Sequence, residues 1–317
     1  FANSERTFRL FKQLLKPIVT KSIQMKIAVY GPLYNERSKS TIKILIEYLK
    51  NRSVDVFFEK DFYESVLKIS NIDIESFRCD TFKSLDNSFD LLISIGGDGT
   101  ILRAITYVKD LNIPIVGINT GRLGFLATIP MNTVEKALDE IFEGNYRISK
   151  RSLLAITVGE GEAVFDLNFA LNEITVSRKN TTSMISVETW LDDEYLTSYW
   201  ADGLIVSTPT GSTGYSLSCG GPVIMPESDS FVLTPIAPHN LNARPLVISS
   251  NKIIKLKVSG REDEHLVSLD SRIKTLPNNT TITIQKAPFN VHMIELKDER
   301  FIETLRKKLL WGADQRN

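Results

Sequence analysis

From Met25 onward the apolar residues follow two alternating spacings. Short continuous runs at 26–30, Val54–Phe58, Phe89–Ile95 and Asn112–Ile118 have the length of buried strands. Between them, apolar residues recur every three to four positions. Ile42, Leu45, Ile46 and Leu49 predict a helix over 38–50, and residues 61–70 predict a second. Ile101, Leu102, Ile105 and Val108 place a third just after a glycine-rich turn. Gly31-Pro32 closes the first strand, and Pro114 opens the last. Strands alternating with helices predict an α/β domain, a parallel sheet with helices on both faces.

Near residue 148 the pattern changes. Leu153–Val158, Val187–Leu191, Ile253–Val258 and Thr281–Gln285 read as short strands, divided by turns such as 159–161 and 191–194. This stretch predicts a mostly antiparallel, all-β C-terminal domain. Helical spacing returns at Phe301, Ile302, Leu305 and Leu309, with Asp298 placed to cap, Lys307 and Lys308 in the last turn, and Gly312 just beyond. The expected organisation is an extension over 1–24, an α/β domain over 25–147, a β domain over 148–290, and a strand and helix over 291–317 that return to the first domain. The extension sets Arg6, Arg9, Lys12, Lys16 and Lys21 against the single acid Glu5. Lys16 and Pro17 break its apolar part, so it does not read as a secretory signal. Because a clean strand begins at Met25, the extension is expected to be dispensable.

Composition narrows the functional classes. The chain has 317 residues, 42% hydrophobic and 24% charged, which suits two ordinary globular domains. Lys plus Arg and Asp plus Glu are 38 each, a balance that argues against nucleic acid or anionic membrane as the main partner. No apolar run approaches the ~20 residues that span a bilayer. Cys79 and Cys219 are far apart, and His239, His265 and His292 are scattered, so neither a disulfide framework nor a zinc or histidine-based metal site is expected. A cytoplasmic protein is the expectation.

Three segments carry candidate chemistry. Ile95-Gly-Gly-Asp-Gly-Thr-Ile-Leu102 joins a strand to a helix. Glycines there let backbone amides approach a ligand, and amides at a helix start suit phosphate. Asp98 within such a turn either caps the helix, holds a metal ion, or takes a proton from an attacking hydroxyl. The turn lacks the GxxxxGK[ST] of a P-loop, and Leu102 occupies the last glycine position of GxGxxG. The second segment, Thr208–Pro222, is dense in hydroxyls and glycines and lies between apolar stretches. Tyr215 offers a flat face for a base or ribose, and Thr213, Ser216 and Ser218 offer hydroxyl contacts. In the third, Asn172 and Glu173 stand together at a strand start, where they suit either a solvated turn or hydrogen bonds to a ribose diol or adenine edge.

In this order the segments resemble the NAD kinase family. The likeness extends to Asn119-Thr-Gly-Arg-Leu-Gly-Phe-Leu126, to Ala201–Tyr215 with its Thr-Pro-Thr-Gly-Ser-Thr-Gly-Tyr, and to Leu233–Leu246. It covers roughly Met25 to the C-terminal helix. The resemblance implies a site between an α/β and a β domain, and transfer of the γ-phosphoryl group of ATP, or in some members of polyphosphate, to NAD. It implies a divalent ion, by expectation Mg²⁺, carried mainly by the nucleotide phosphates, and assembly as a homodimer or homotetramer. By position it implies Asp98 as proton acceptor, with Gly96, Gly97, Gly99, Thr100 and Leu102 around the nucleotide and Phe125 near it. Asn172 and Glu173 match the adenosine-binding pair, and Asp202 an acid facing the nicotinamide part. Thr213, Gly214, Tyr215, Ser216, Leu217 and Ser218 match the loop around adenine and ribose.

Three positions depart from the family pattern. Trp200 stands where many members have a basic residue, Ser183 where some have His, and Ser271-Arg272 where many have Gly-Gln or Ser-Gln. Arg272 is expected either to pair with a phosphate or to form a structural ion pair. The rival functions are a lipid kinase of the diacylglycerol or sphingosine type, a phosphofructokinase, and a non-catalytic NAD(P)-binding regulator. The hydroxyl-rich loop and the Asn-Glu pair argue against the first. The absence of a sugar-phosphate acid motif argues against the second, and Asp98 against the third.

Overall fold

The computed structural model describes residues 24–32, 38–69, 74, 77–161, 164–180, 183–297 and 301–310. The expectations for residues 1–23, Asp298 and Gly312 lie outside these residues.

The first half forms β1 (Met25–Tyr30), α1 (Lys39–Lys50), β2 (Val54–Glu59), α2 (Lys60–Leu67), β3 (Cys79–Phe82), β4 (Leu91–Gly96), α3 (Asp98–Val108) and β5 (Ile115–Asn119). These strands pair in parallel in the order β5-β4-β1-β2-β3. All six residues of β4 are buried, as a strand covered on both faces requires. Helix α1 buries Ile42, Leu45, Ile46 and Leu49, the face its spacing predicts. The short β6 (Ile129–Pro130) pairs with β5, and α4 (Val134–Phe142) packs behind it on Val134, Ala137, Leu138 and Ile141.

The second half is antiparallel. It contains β7 (Tyr146–Val158), β8 (Phe169–Ala170), β9 (Glu173–Arg178), β10 (Ile185–Leu191), β11 (Glu194–Ala201) and β12 (Gly203–Ser207). The one-turn α5 (Tyr215–Ser218) follows, then β13 (Ser230–Ile236), β14 (Leu246–Ser249), β15 (Ile254–Gly260), β16 (Glu264–Leu269), β17 (Arg272–Pro277) and β18 (Thr281–Leu296). One sheet has the order β14-β13-β12-β9-β16-β17. The other strands do not form a separate sheet. Through β18 they continue the parallel sheet, giving the order β11-β10-β15-β18-β5-β4-β1-β2-β3.

Strand β18 is the join. Ile282 and Ile284 lie in the core between the two sheets of the β half, together with Val176, Val206 and Leu256. Val291 and Met293 lie in a cluster shared by the halves, and Ile294 in the core of the α/β half. The expected boundaries at 147/148 and 290/291 therefore fall inside strands β7 and β18, which pair along most of their length around an irregularity between Lys286 and Asn290.

Helix α6 (Phe301–Leu309) ends the described chain and returns to the first half. Its Phe301 ring lies 6.1 Å from Phe125, and Lys308 Nζ lies 4.7 Å from the centre of the same ring. Of the expected apolar face, Leu305 is buried, while Ile302 is 58% exposed and does not pack. Among the described residues no helix is long and apolar enough to cross a membrane.

Candidate active site

Strand β4 delivers the glycine turn to the carboxyl edge of the parallel sheet. There β1 has β2 on one side and β4 on the other, so the strand order reverses between β1 and β4. Ligands of open α/β sheets bind at such a switch point. Gly96 has a φ of 154°, and a Cβ there would lie 2.1 Å from Thr100 Oγ1, so the turn itself demands this glycine. Around Gly97 and Gly99 a Cβ would meet nothing within 4 Å. The fold does not need those two glycines for packing. Leu102, one turn into α3, is half-buried against the apolar cluster shared by the halves.

Asp98 is the first residue of α3, and Gly97 occupies the capping position without a side-chain bond. The carboxylate of Asp98 turns to the segment after β5. Its Oδ2 accepts from Phe125 N–H at 2.8 Å, and its Oδ1 accepts from Leu126 and Ala127 N–H at 2.9 Å each. The reading of Asp98 as a cap of its own helix is therefore corrected: it clamps a second loop. Gly124 makes room for this, because a Cβ there would lie 1.9 Å from Asp98 Oδ1. Asn119 orders the same loop, donating to the carbonyls of Arg122 and Ala127 and accepting from Gly121 N–H. Three amides use three of the roughly four acceptor positions of a carboxylate, leaving one on Oδ2.

Asn172 and Glu173 come together with the hydroxyl-rich loop. A Cβ on Gly214 would sit 3.3 Å from Glu173 Oε2 and 3.6 Å from Asn172 Nδ2. Tyr215 N–H donates to the Glu173 carboxylate. Asn172 Oδ1 and Glu173 Oε2 are shielded from solvent and have no hydrogen-bond partner among the described residues. Burial raises the Glu173 carboxyl to about 8, the nearby Asp270 adds to that rise, and the Tyr215 amide opposes it. The Tyr215 ring is half-exposed, and burial, Cys219, Asp202 and Glu173 all push its hydroxyl above its ordinary value.

Other expected contacts resolve differently. Ser216 is fully buried, and its hydroxyl bonds Thr234 Oγ1 at 2.8 Å, so it braces the loop from behind instead of facing outward. Thr213 Oγ1 donates to Thr210 O at 3.1 Å, Leu217 is half-buried, and Ser218 is exposed. Asp202 pairs with Arg178 at 3.0 Å in a surface depression that also holds Ser183, Trp200 and His239. Arg272 is engaged by the protein. Its Nη1 donates to Leu167 O at 2.8 Å, its Nη2 donates to Phe169 O, and its guanidinium lies 3.8 Å from Asp270. These contacts are those of a structural ion pair, the second of the two expectations for Arg272.

Three contributors carry no motif of their own. Gly124 admits Asp98, Asp270 holds the Asn-Glu segment, and Thr208 bonds Leu171 O through its hydroxyl at 2.6 Å. Gly124 and Thr208 lie inside the segments that carry the resemblance, so their position was visible though not their role. Among the described residues, no group of three or more His, Cys, Asp or Glu side chains gathers to hold a metal ion.

Known proteins resemble this chain over most of its length. The ATP-NAD kinase N-terminal domain model matches residues 15–146, and the ATP-NAD kinase C-terminal domain model matches residues 171–296. An NAD kinase of Christiangramia forsetii is 58% identical over 295 residues, covering 92% of this chain and all of the relative. The crystal structure of an Archaeoglobus fulgidus NAD kinase in complex with ATP superposes with a TM-score of 0.68 at 28% identity, covering 90% of this chain and 99% of that one. A yeast NADH kinase complexed with NADH shares the fold, with a TM-score of 0.80 at 21% identity over 93% of this chain and 90% of that one. Both domain models and a close full-length relative agree, and the chain belongs to the NAD kinase family of phosphotransferases.

Proposed function

We propose that the chain transfers the γ-phosphoryl group of ATP to the 2′-hydroxyl of the adenosine ribose of NAD, with Asp98 as general base. The observation that carries this reading is the Asp98 carboxylate: three amides fix its orientation and leave one acceptor position on Oδ2. A ribose hydroxyl is a poor nucleophile, and phosphoryl transfer depends mainly on positioning and charge neutralisation. The donor is taken as a complex of ATP with a divalent cation such as Mg²⁺, the ion being part of the substrate. Open space at Gly97 and Gly99 suits close approach of donor phosphates to the amides at the start of α3.

On this reading Asn172 and Glu173 bind the adenosine end of NAD. Their unpartnered atoms suit ribose hydroxyls or an adenine edge, and the half-exposed Tyr215 ring suits stacking beside them. Phe125 and the Thr213–Ser218 segment close around the nucleotide, and Asp202 faces the nicotinamide part. Assembly as a homodimer or homotetramer and a cytoplasmic location complete the proposal. Strand β14, with exposed Leu246 and Val247, is a sheet edge open to assembly.

The test is Asp98→Asn, assayed with ATP, Mg²⁺ and NAD. Loss of a general base lowers turnover about 10²–10⁴-fold. Asparagine also sets an NH₂ against one of the three amides, so a lower melting temperature accompanies the loss. NAD should still bind, measured by calorimetry. Near-normal turnover in a folded variant would refute the proton-acceptor role and leave Asp98 as a loop clamp.

A further inference from the structure

Asp270 is an acid that the proposed chemistry does not use. It holds the first position of the two-residue turn between β16 and β17, where Leu269 pairs with Arg272, and its φ is 52°. Glycine or asparagine suits such a left-handed position at least as well. Its side chain is only 2% exposed. A buried carboxylate there costs stability unless its charge is matched, so its presence needs a reason.

The contacts supply one. Oδ2 accepts from Leu171 N–H at 3.0 Å, and Oδ1 accepts from Asn172 and Glu173 N–H at 2.8 and 3.3 Å. The Asp270 N–H in turn donates to Glu173 O at 3.0 Å. From the other side Thr208 N–H donates to Asn172 O at 2.9 Å. Three consecutive residues are thus held by one carboxylate. Arg272, 3.8 Å away, is itself held by the carbonyls of Leu167 and Phe169 and stands over the Phe169 ring.

We infer that Asp270, with Arg272 as its counter-charge, is a positioning residue that pre-sets Asn172 and Glu173 for the adenosine end of NAD. The inference rests on the reading of that pair as the NAD-binding pair. Among the described residues Asn172 Oδ1 and Glu173 Oε2 lack partners, so a free segment would shift to satisfy them. The clamp denies that shift. The ligand then meets polar atoms already ordered, and little of its binding energy goes into arranging them. A neutral asparagine at 270 would present an NH₂ to at least one of the three amides.

Steady-state kinetics of Asp270→Asn, Arg272→Gln and Asn172→Ala test this. Asp270→Asn should raise the KM for NAD about tenfold or more, with the KM for ATP within about twofold of wild type. Arg272→Gln should move it in the same direction by about two- to fivefold. Asp270 also helps to push the Glu173 carboxyl up, so the variant should shift the pH profile of kcat/KM for NAD toward lower pH. A general loss of structure would instead raise the KM for both substrates together. An unchanged KM for NAD in Asp270→Asn, beside a raised one in Asn172→Ala, overturns the positioning role alone. A silent Asn172→Ala overturns the adenosine reading and the inference with it. Should Asp270→Asn not fold, amide exchange on the wild-type enzyme decides. Protection of residues 171–173 before NAD is added supports the clamp, and protection that appears only with NAD overturns it.

Discussion

Gly99 and Gly124 are glycines for opposite reasons. Gly124 gives way to a carboxylate of its own chain, and Gly99 faces open space at the start of a helix. Gly124→Ala should displace Asp98 and cut turnover at least about tenfold, with a lower melting temperature. Gly99→Ala should instead stabilise the protein by roughly 0.5–1 kcal/mol, because alanine suits a helix better. It should nevertheless lower kcat/KM, and unchanged kinetics would show that no ligand approaches the turn at that point. Glu173 adds a pH signature. Its carboxyl is raised from 4.5 to about 8 in the folded protein, so the folded state holds a proton that the unfolded chain has released. Its contribution is fully present below about 4.5 and is lost as pH rises through about 8. Glu173→Gln should flatten that decline in melting temperature and weaken NAD use; a decline identical to wild type would place the titration elsewhere. At this scale Asp98, Asn172 and Glu173 were singled out as candidates by motifs. Asp270 was not, since an acid between two strands reads as an ordinary turn residue. Ser216 shows the complementary limit: composition reveals a hydroxyl but not that it points inward to Thr234.

Among the elements, α1 and α3 were legible from helical spacing, and β4 from its unbroken apolar run. Helix α4 has equally clear spacing but carries no chemistry, so a motif-led reading passes over it. Strand β18 was visible only as Thr281–Gln285. Beyond that point Pro288 and the irregularity between Lys286 and Asn290 interrupt its alternation, and its neighbours change along its length. Helix α6 gives a prediction at this scale. Phe301 covers Phe125, whose amide binds Asp98. Phe301→Ala should raise the KM for NAD about two- to fivefold by loosening that ring. Kinetics indistinguishable from wild type would make α6 a cover and nothing more. Strand β16 gives another. His265 is fully buried, with Nδ1 3.1 Å from Asn278 Oδ1 and Nε2 unpartnered among the described residues. Burial lowers its pKa below the ordinary 6.5, so the unfolded chain takes up a proton first. Melting temperature should therefore fall as pH drops below about 6.5, and less steeply in His265→Gln.

At the scale of the molecule, the two family domains meet in one continuous sheet. The shared cluster contains Ile101, Leu126 and Ala127 of the α/β half together with Leu153, Phe169 and Leu171 of the β half. Leu126 and Ala127 carry two of the amides that hold Asp98, and Leu171 carries one that Asp270 holds. The two clamped segments thus contribute to one apolar cluster. Thermal unfolding should be a single transition, with far-UV circular dichroism and tryptophan fluorescence coincident. Two separated transitions would contradict the shared core. The alternation of spacings announced two halves of different character, but it could not announce that they share strands, because pairing across the chain leaves no local trace. Strand β18 also bears on how the protein is made. During synthesis β5 emerges long before residues 281–296, the strand that lies against it. Until those residues leave the ribosome, β5 is unpaired on that side around Ile115, beyond the reach of β6, and such an edge recruits other chains. A message truncated ahead of residue 281 should therefore yield aggregates, not a soluble half-protein, and cells expressing it should depend on chaperones to hold that edge.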